Sequence, residues 1–151
     1  MKFNPKVILL GGLAFYAAQW LVSMGTGPLI HEGVLTEMYI ANASFWRPEL
    51  NQQPPDMAAL LPRWIATGLI TTFIMTAIFD NIRSALDGSP MVKGVKFCFI
   101  LFLMHMSMSA GWSGVFNLPE MIWVWWSVEA FVVYLVGGVV LGFVVGKLSP
   151  E

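Results

Sequence analysis

Charge is scarce in this 151-residue chain, since Asp, Glu, Lys and Arg make up 11% of it and the formal net charge is −1. With only eight Lys and Arg residues in the whole sequence, we expect no nucleic-acid partner. Cysteine is almost missing as well. The single Cys98 excludes an internal disulfide and a metal cage built from the thiolates of one chain, and we interpret it as a small apolar filler.

Apolar residues are abundant instead, at 57% of the chain with a mean hydropathy of +0.70. Four apolar runs occupy residues 7–30, 64–79, 97–118 and 121–146. In lipid each backbone amide must be satisfied within its own segment, which a helix does. The runs therefore predict an all-α, integral membrane four-helix bundle, a single domain over 1–151 with spans at about 7–30, 60–80, 96–117 and 121–146. The first run is longer than the core of a signal peptide, so we expect a permanent span.

Basic residues are unevenly distributed between the two ends of these spans. Lys and Arg are retained on the cytoplasmic side of a membrane, whereas acidic residues have little influence. One side carries only Arg47 and Arg63. The other carries six basic residues: Lys2, Lys6, Arg83, Lys93, Lys96 and Lys147. We therefore predict cytoplasmic N- and C-termini and an extracytoplasmic loop over residues 31–59, in a bacterial cytoplasmic (inner) membrane.

Glu129 is the only permanently chargeable residue within the four runs. A charged group near the middle of an inserted helix costs about 2.5 to 3.5 kcal/mol, so the carboxylate needs a protein partner. The other ionisable group inside a run is His105, and a rise of about 1.5 Å per residue places the two at similar depths. We predict a buried contact between His105 and Glu129. It serves either as a proton or cation relay or as a hydrogen bond that joins two helices.

Small residues recur every four positions in the last run, where Gly138, Gly142 and Gly146 form a ridge that begins beside Tyr134. Such a ridge allows close helix packing. At about 100° per residue, Glu129 lies about 180° around the helix from Gly138. Both faces of this span therefore need protein neighbours, either within the bundle, in a homodimer or in a larger complex.

All seven tryptophans are expected in the outer half of the membrane or in the outer loop. Indole rings prefer the interface between lipid and water, so a simple interfacial belt explains most of them. An alternative is an aromatic wall for a hydrophobic ligand such as a lipid, a quinone or a pigment. Its candidate residues are Trp112, Trp123, Trp125 and Trp126. We also expect no metal site. Methionine sulfurs can bind soft metal ions, but Met104 and Met108 share a helix face from which Met106 points away.

Several stretches together resemble a small four-span bacterial membrane family known as domain of unknown function 1761. They are residues 20–29 with Gly27-Pro28-Leu29, the polar outer loop, residues 111–116 (Gly-Trp-Ser-Gly-Val-Phe) and residues 130–142. The resemblance covers nearly the whole chain and implies a four-span architecture. That family has no assigned activity, so the resemblance implies no site residues.

These features favour a non-enzymatic multi-pass membrane protein, an accessory or assembly subunit of a larger membrane complex or a homo-oligomer. Its expected partners are the lipid bilayer and other membrane subunits or copies of itself. The alternative is a small transporter or proton-coupled channel that uses Glu129 and His105. A membrane enzyme is the least favoured class, because the sequence contains no nucleophile–base set, metal cage or phosphate loop.

Overall fold

The computed structural model describes residues 4–150, which are largely helical and contain no strand. The α-helices are α1 (Pro5–Leu29), α2 (Thr36–Ala41), α3 (Met57–Ile82), α4 (Pro90–Ser113) and α5 (Glu120–Leu148). A π-helical turn, Ile30–Val34, continues α1, and short 3-10 turns cover Ala43–Phe45, Pro48–Asn51 and Arg83–Ala85. Four helical segments are long and apolar enough to cross a membrane, which confirms the predicted number. They are Pro5–Val34, Met57–Ala85, Pro90–Ser113 and Glu120–Leu148.

Local capping explains where three of these helices begin. Asn4 accepts a hydrogen bond from the Val7 amide, Asp56 from the Ala59 amide and Ser89 from the Val92 amide. These bonds satisfy amides that have no partner inside the first turn of a helix. Because its cap is Asp56, α3 starts well before the second apolar run and reaches 26 residues. At about 1.5 Å per residue, that length suffices to span the hydrocarbon layer.

The long helices pack in the order α3, α1, α5, α4. Helix α1 contacts both α3 and α5, while α3 and α4 approach each other at the rings of Phe79 and Phe97, whose centroids are 5.3 Å apart. Two connections, residues 30–56 and 114–119, lie at one end of the bundle, which we call the loop end. The other end holds the turn at residues 83–89, and we call it the terminal end.

Two apolar cores stabilise this arrangement. The larger one includes Val7, Phe15, Phe79, Leu141 and Val145, and it also buries Cys98. The smaller one lies at the loop end, where it is formed by Ile30, Leu35, Leu118 and Ile122. Trp46, Trp123, Trp125 and Trp126 pack around it.

The glycine ridge of α5 is used inside the chain. A Cβ atom added to Gly138 would lie 2.8 Å from the carbonyl oxygen of Gly94 in α4, and one added to Gly94 would overlap the Gly138 carbonyl oxygen. Similar overlaps place Gly142 and Gly146 against Pro90. The close packing predicted from the ridge is therefore with α4, so the ridge itself is not a free surface for a second copy or a partner protein.

Substitution at Gly138 is expected to destabilise the fold. Gly138→Val would force the α4 and α5 backbones apart, and overpacking of this kind costs about 1 to 3 kcal/mol or more. Gly111→Ala is the matched control, since a Cβ at Gly111 meets nothing within 4 Å and alanine favours a helix. Thermal unfolding of the purified variants measures both effects. An unchanged midpoint for Gly138→Val would contradict the packing described here.

Candidate functional site

The Glu129 carboxylate is held by residues of α1 and the π turn. Its Oε1 atom accepts a hydrogen bond of 2.6 Å from the Thr26 hydroxyl, and its Oε2 atom lies 2.8 Å from Nε2 of His31. The side chain of Glu129 is 14% exposed, whereas that of His31 is 37% exposed. A nearly buried acid is thus connected to the protein surface through one imidazole.

The predicted contact between His105 and Glu129 is not formed. His105 instead lies 3.4 Å from the Ser109 hydroxyl, one turn away on α4, and its ring is 6.4 Å from that of Tyr134. The two residues lie at similar positions along their helices, but they face different directions. Gly138 faces α4, and Glu129 lies about 180° around α5 from Gly138. The carboxylate therefore faces α1.

The backbone becomes irregular at the end of α1, where Thr26 and His31 meet the same carboxylate. Five residues apart, they would point about 140° away from each other on a regular α-helix. Pro28 lies between them and has no amide proton to donate. The amide of Leu35 then bonds to the Ile30 carbonyl oxygen at 2.9 Å, five residues back, as in a π-helix. Turns of this type are frequent at functional sites because they redirect side chains.

Tyr39 of α2 extends the polar network beyond His31. Its hydroxyl oxygen lies 2.7 Å from Nδ1 of His31 and accepts a hydrogen bond of 2.8 Å from the Trp126 indole. The Trp46 indole donates to the backbone carbonyl of Tyr39 at 3.0 Å. Burial raises the pKa of the Tyr39 phenol above its usual value; the bond from Trp126 opposes this shift and the charge of Glu129 adds to it. The phenol is therefore neutral near pH 7.

This network lets His31 change its charge without losing a bond. An indole only donates, so the Tyr39 oxygen accepts from Trp126 and keeps its own proton and a further lone pair for His31. When the imidazole is neutral, Tyr39 donates to Nδ1 and Nε2–H donates to Glu129. When the imidazole is protonated, Nδ1–H donates to Tyr39 instead. The hydrogen bonds of the network are thus compatible with either form of the imidazole.

Three of the four tryptophans proposed as a ligand wall, Trp123, Trp125 and Trp126, pack around the same loop-end core. Trp126 belongs to the Tyr39 network, and Trp123 packs edge-on against it with centroids 5.4 Å apart. Trp112 stacks on Phe116 at 5.3 Å, while Trp125 packs on the loop-end core. Of the four, only Trp123 lines the groove between α4 and α5.

Sequence patterns did not identify three members of the site. Thr26 reads as an ordinary small residue of an apolar run, and Tyr39 lies in the segment assigned to the outer loop. His31 follows directly after the predicted end of the first span, which suggested a surface residue. A π turn leaves no clear sequence signature apart from the nearby Pro28 and Gly33.

No protein-family model, curated protein or solved structure matches this chain. Within residues 4–150 no group of three or more His, Cys, Asp or Glu side chains could hold a metal ion. The chemistry of the site therefore has to be inferred from its own geometry.

A double-mutant cycle tests which histidine holds Glu129. Combining His31→Ala with Glu129→Gln should reveal a coupling of about 1 kcal/mol in the free energy of unfolding, within the range of polar contacts between packed helices. The matched pair, His105→Ala with Glu129→Gln, should be additive. Coupling with His105 but not with His31 would contradict the site described here.

Proposed function

We propose that this chain is an integral membrane protein that crosses the bilayer four times. The support is the apolar surface of its long helices. In the most apolar 18-residue stretch of each long helix, only 17 to 28% of the residues are buried within the protein. The side chains of Leu21, Ile70 and Met108 are 59 to 70% exposed. Water would solvate such a surface poorly, whereas lipid chains cover it without cost.

The proposed orientation places the loop end outside and the terminal end in the cytoplasm. The turn at residues 83–89 follows this assignment because Arg83, Lys93 and Lys96 lie in it or near it. Both termini then lie in the cytoplasm, and we propose a bacterial cytoplasmic membrane as the location. The polar network of Glu129, His31 and Tyr39 faces the extracytoplasmic side.

Labelling of single cysteines should verify this orientation. In a Cys98→Ser background, Gln52→Cys places a thiol in the exposed loop end and Asp87→Cys places one in the exposed terminal end. A membrane-impermeant maleimide should label Gln52→Cys in intact cells and Asp87→Cys only after permeabilisation. The reverse pattern would overturn the orientation, and equal labelling of both in intact cells would overturn the membrane crossing between them.

Within this architecture we propose a non-enzymatic, proton-coupled carrier. The observation that supports it is the hydrogen-bonded chain from the Glu129 carboxylate through His31 to Tyr39, which can hold a proton and reaches the surface through His31. Intramembrane ionisable residues that pair with each other often mark proton paths. The partner of Glu129 in this proposal is His31 rather than His105.

Packing at the terminal end favours a carrier over an open channel. Phe15, Leu141 and Val145 are fully buried there, and the glycine contact closes α4 against α5. The site is therefore reachable from the loop end and closed towards the terminal end. A carrier exposes its site to one side at a time, whereas a channel needs a continuous path.

Proton flux into vesicles tests this proposal. Purified protein in liposomes with a trapped pH dye should admit protons when the outside is made acidic. Glu129→Gln keeps an amide that can bond to Thr26 and His31 but cannot carry the proton, so the flux should fall at least tenfold. His105→Ala is the control and should retain it. Wild-type flux no greater than that of empty vesicles, or an undiminished flux in Glu129→Gln, would contradict the carrier.

A second candidate function is that of a subunit in a larger membrane complex. An aromatic patch at the loop end favours it, since Phe116 contacts both Phe45 and Trp112 and all three rings are 37 to 48% exposed. Such a patch suits either the lipid interface or a protein partner. A chain that is inert in vesicles, but leaves its native membrane in an assembly disrupted by Trp112→Ala, would favour this second function.

A further inference from the structure

The helices α4 and α5 separate towards the loop end and leave a groove of about 490 Å³, which we call the α4–α5 groove. Glycines hold the two helices together near the terminal end, but the loop-end half of the interface has larger side chains. The rings of Phe102 and Phe131, with centroids 5.2 Å apart, form its deep end. A volume of this size matches a drug-sized ligand.

One stripe of each helix lines this groove. On α5 the stripe runs from Glu120 through Trp123 and Ser127 to Phe131, at spacings of three and four residues. These positions span about 16 Å along the helix axis. The antiparallel stripe on α4 ends with Ser113 near the rim. The groove is thus apolar at depth and polar at its mouth.

Two of the serine hydroxyls that line the groove present acceptors rather than donors. The Ser127 hydroxyl donates to the Trp123 carbonyl at 2.8 Å, and the Ser113 hydroxyl donates to the Ala110 carbonyl at 2.9 Å. A hydroxyl that has given its proton to the backbone offers lone pairs to a ligand. The groove therefore suits a ligand that brings donors or positive charge.

Charge at the mouth indicates the same chemistry. Glu120 is exposed and lines the groove, and the ion pairs among residues 4–150 leave its carboxylate without a cationic partner. Trp123 lies one turn deeper on the same stripe. A carboxylate attracts ammonium groups by charge, and an indole ring nearby adds the attraction of its quadrupole.

We propose that the α4–α5 groove binds an amphiphilic cation. The apolar part lies towards Phe102 and Phe131, and the ammonium group lies at the mouth between Glu120 and Trp123. A membrane phospholipid fits less well, because its phosphate would lie near the Glu120 carboxylate. The occupant is therefore a single lipophilic ammonium compound that enters from the bilayer.

This site is separate from the proton-binding network. Glu120 and Glu129 are nine residues apart, which places them about 180° apart around α5. The inference rests on the proposed function, for which it names a substrate class, but equilibrium binding can be measured without any flux. A failed binding test therefore counts against the ligand groove, whereas a failed flux test counts against the proton site.

The test uses the full chain in lipid nanodiscs with dodecyltrimethylammonium as the probe. After subtraction of binding to empty nanodiscs, the wild type should bind one probe molecule saturably. Glu120→Gln should weaken this binding about tenfold, which corresponds to about 1.4 kcal/mol. Glu37→Gln, which removes an exposed acid from α2, is the matched control and should bind like the wild type.

Three further measurements complete this test. Ala110→Phe should block the groove and abolish binding, and dodecyl sulfate should bind the wild type at least tenfold more weakly than the cation. Glu129→Gln should bind the cation normally while losing proton flux. Non-saturable partition only, equal affinity for dodecyl sulfate, or unchanged affinity in Glu120→Gln would overturn the proposal. Loss of wild-type binding with intact proton flux would refute the groove alone.

Discussion

The backbone contact between Gly94 of α4 and Gly138 of α5 fixes how α5 is rotated in the bundle. A side chain at either position would hold the helices apart, so the glycines determine which face of α5 looks towards α4. Everything else on α5 follows from that rotation. Gly137, the neighbour of Gly138, packs on Phe15 of α1, and Glu129 is carried to the α1 side as well.

The same rotation gives α5 two polar faces that do not meet. Towards α1 it presents Glu129, which is bonded to Thr26 and His31. Towards α4 it presents Glu120 and the stripe that lines the α4–α5 groove. A helix behaves as a rigid rod over this length, so a tilt or rotation that alters one face also alters the other.

Hydropathy alone predicted the four long helices and the unusual cost of Glu129, because both depend on composition along the chain. The partner of Glu129 depends on rotation about the helix axis, which the sequence specifies only once the neighbour of the glycine ridge is known. With Gly138 facing α4, the predicted half-turn between Gly138 and Glu129 directs the acid away from His105. The joint contact of Thr26 and His31 with Glu129 could not be predicted either, because regular helix geometry places these two residues on different faces.

A purely structural role for Glu129 would require fewer hydrogen bonds than the network contains. One hydrogen bond between helices can hold a buried carboxylate, and such bonds contribute about 0.6 kcal/mol on average in a membrane. Here the acid has two partners, and one of them is an imidazole that is 37% exposed and bonded to a neutral phenol. The Trp126 indole donates to the phenol oxygen and the Trp46 indole donates to the backbone carbonyl of Tyr39, so two bonds that do not involve His31 position this residue. A histidine whose partners tolerate both protonation states is suited to exchange protons with the surface, and this property distinguishes the network from a simple link between helices.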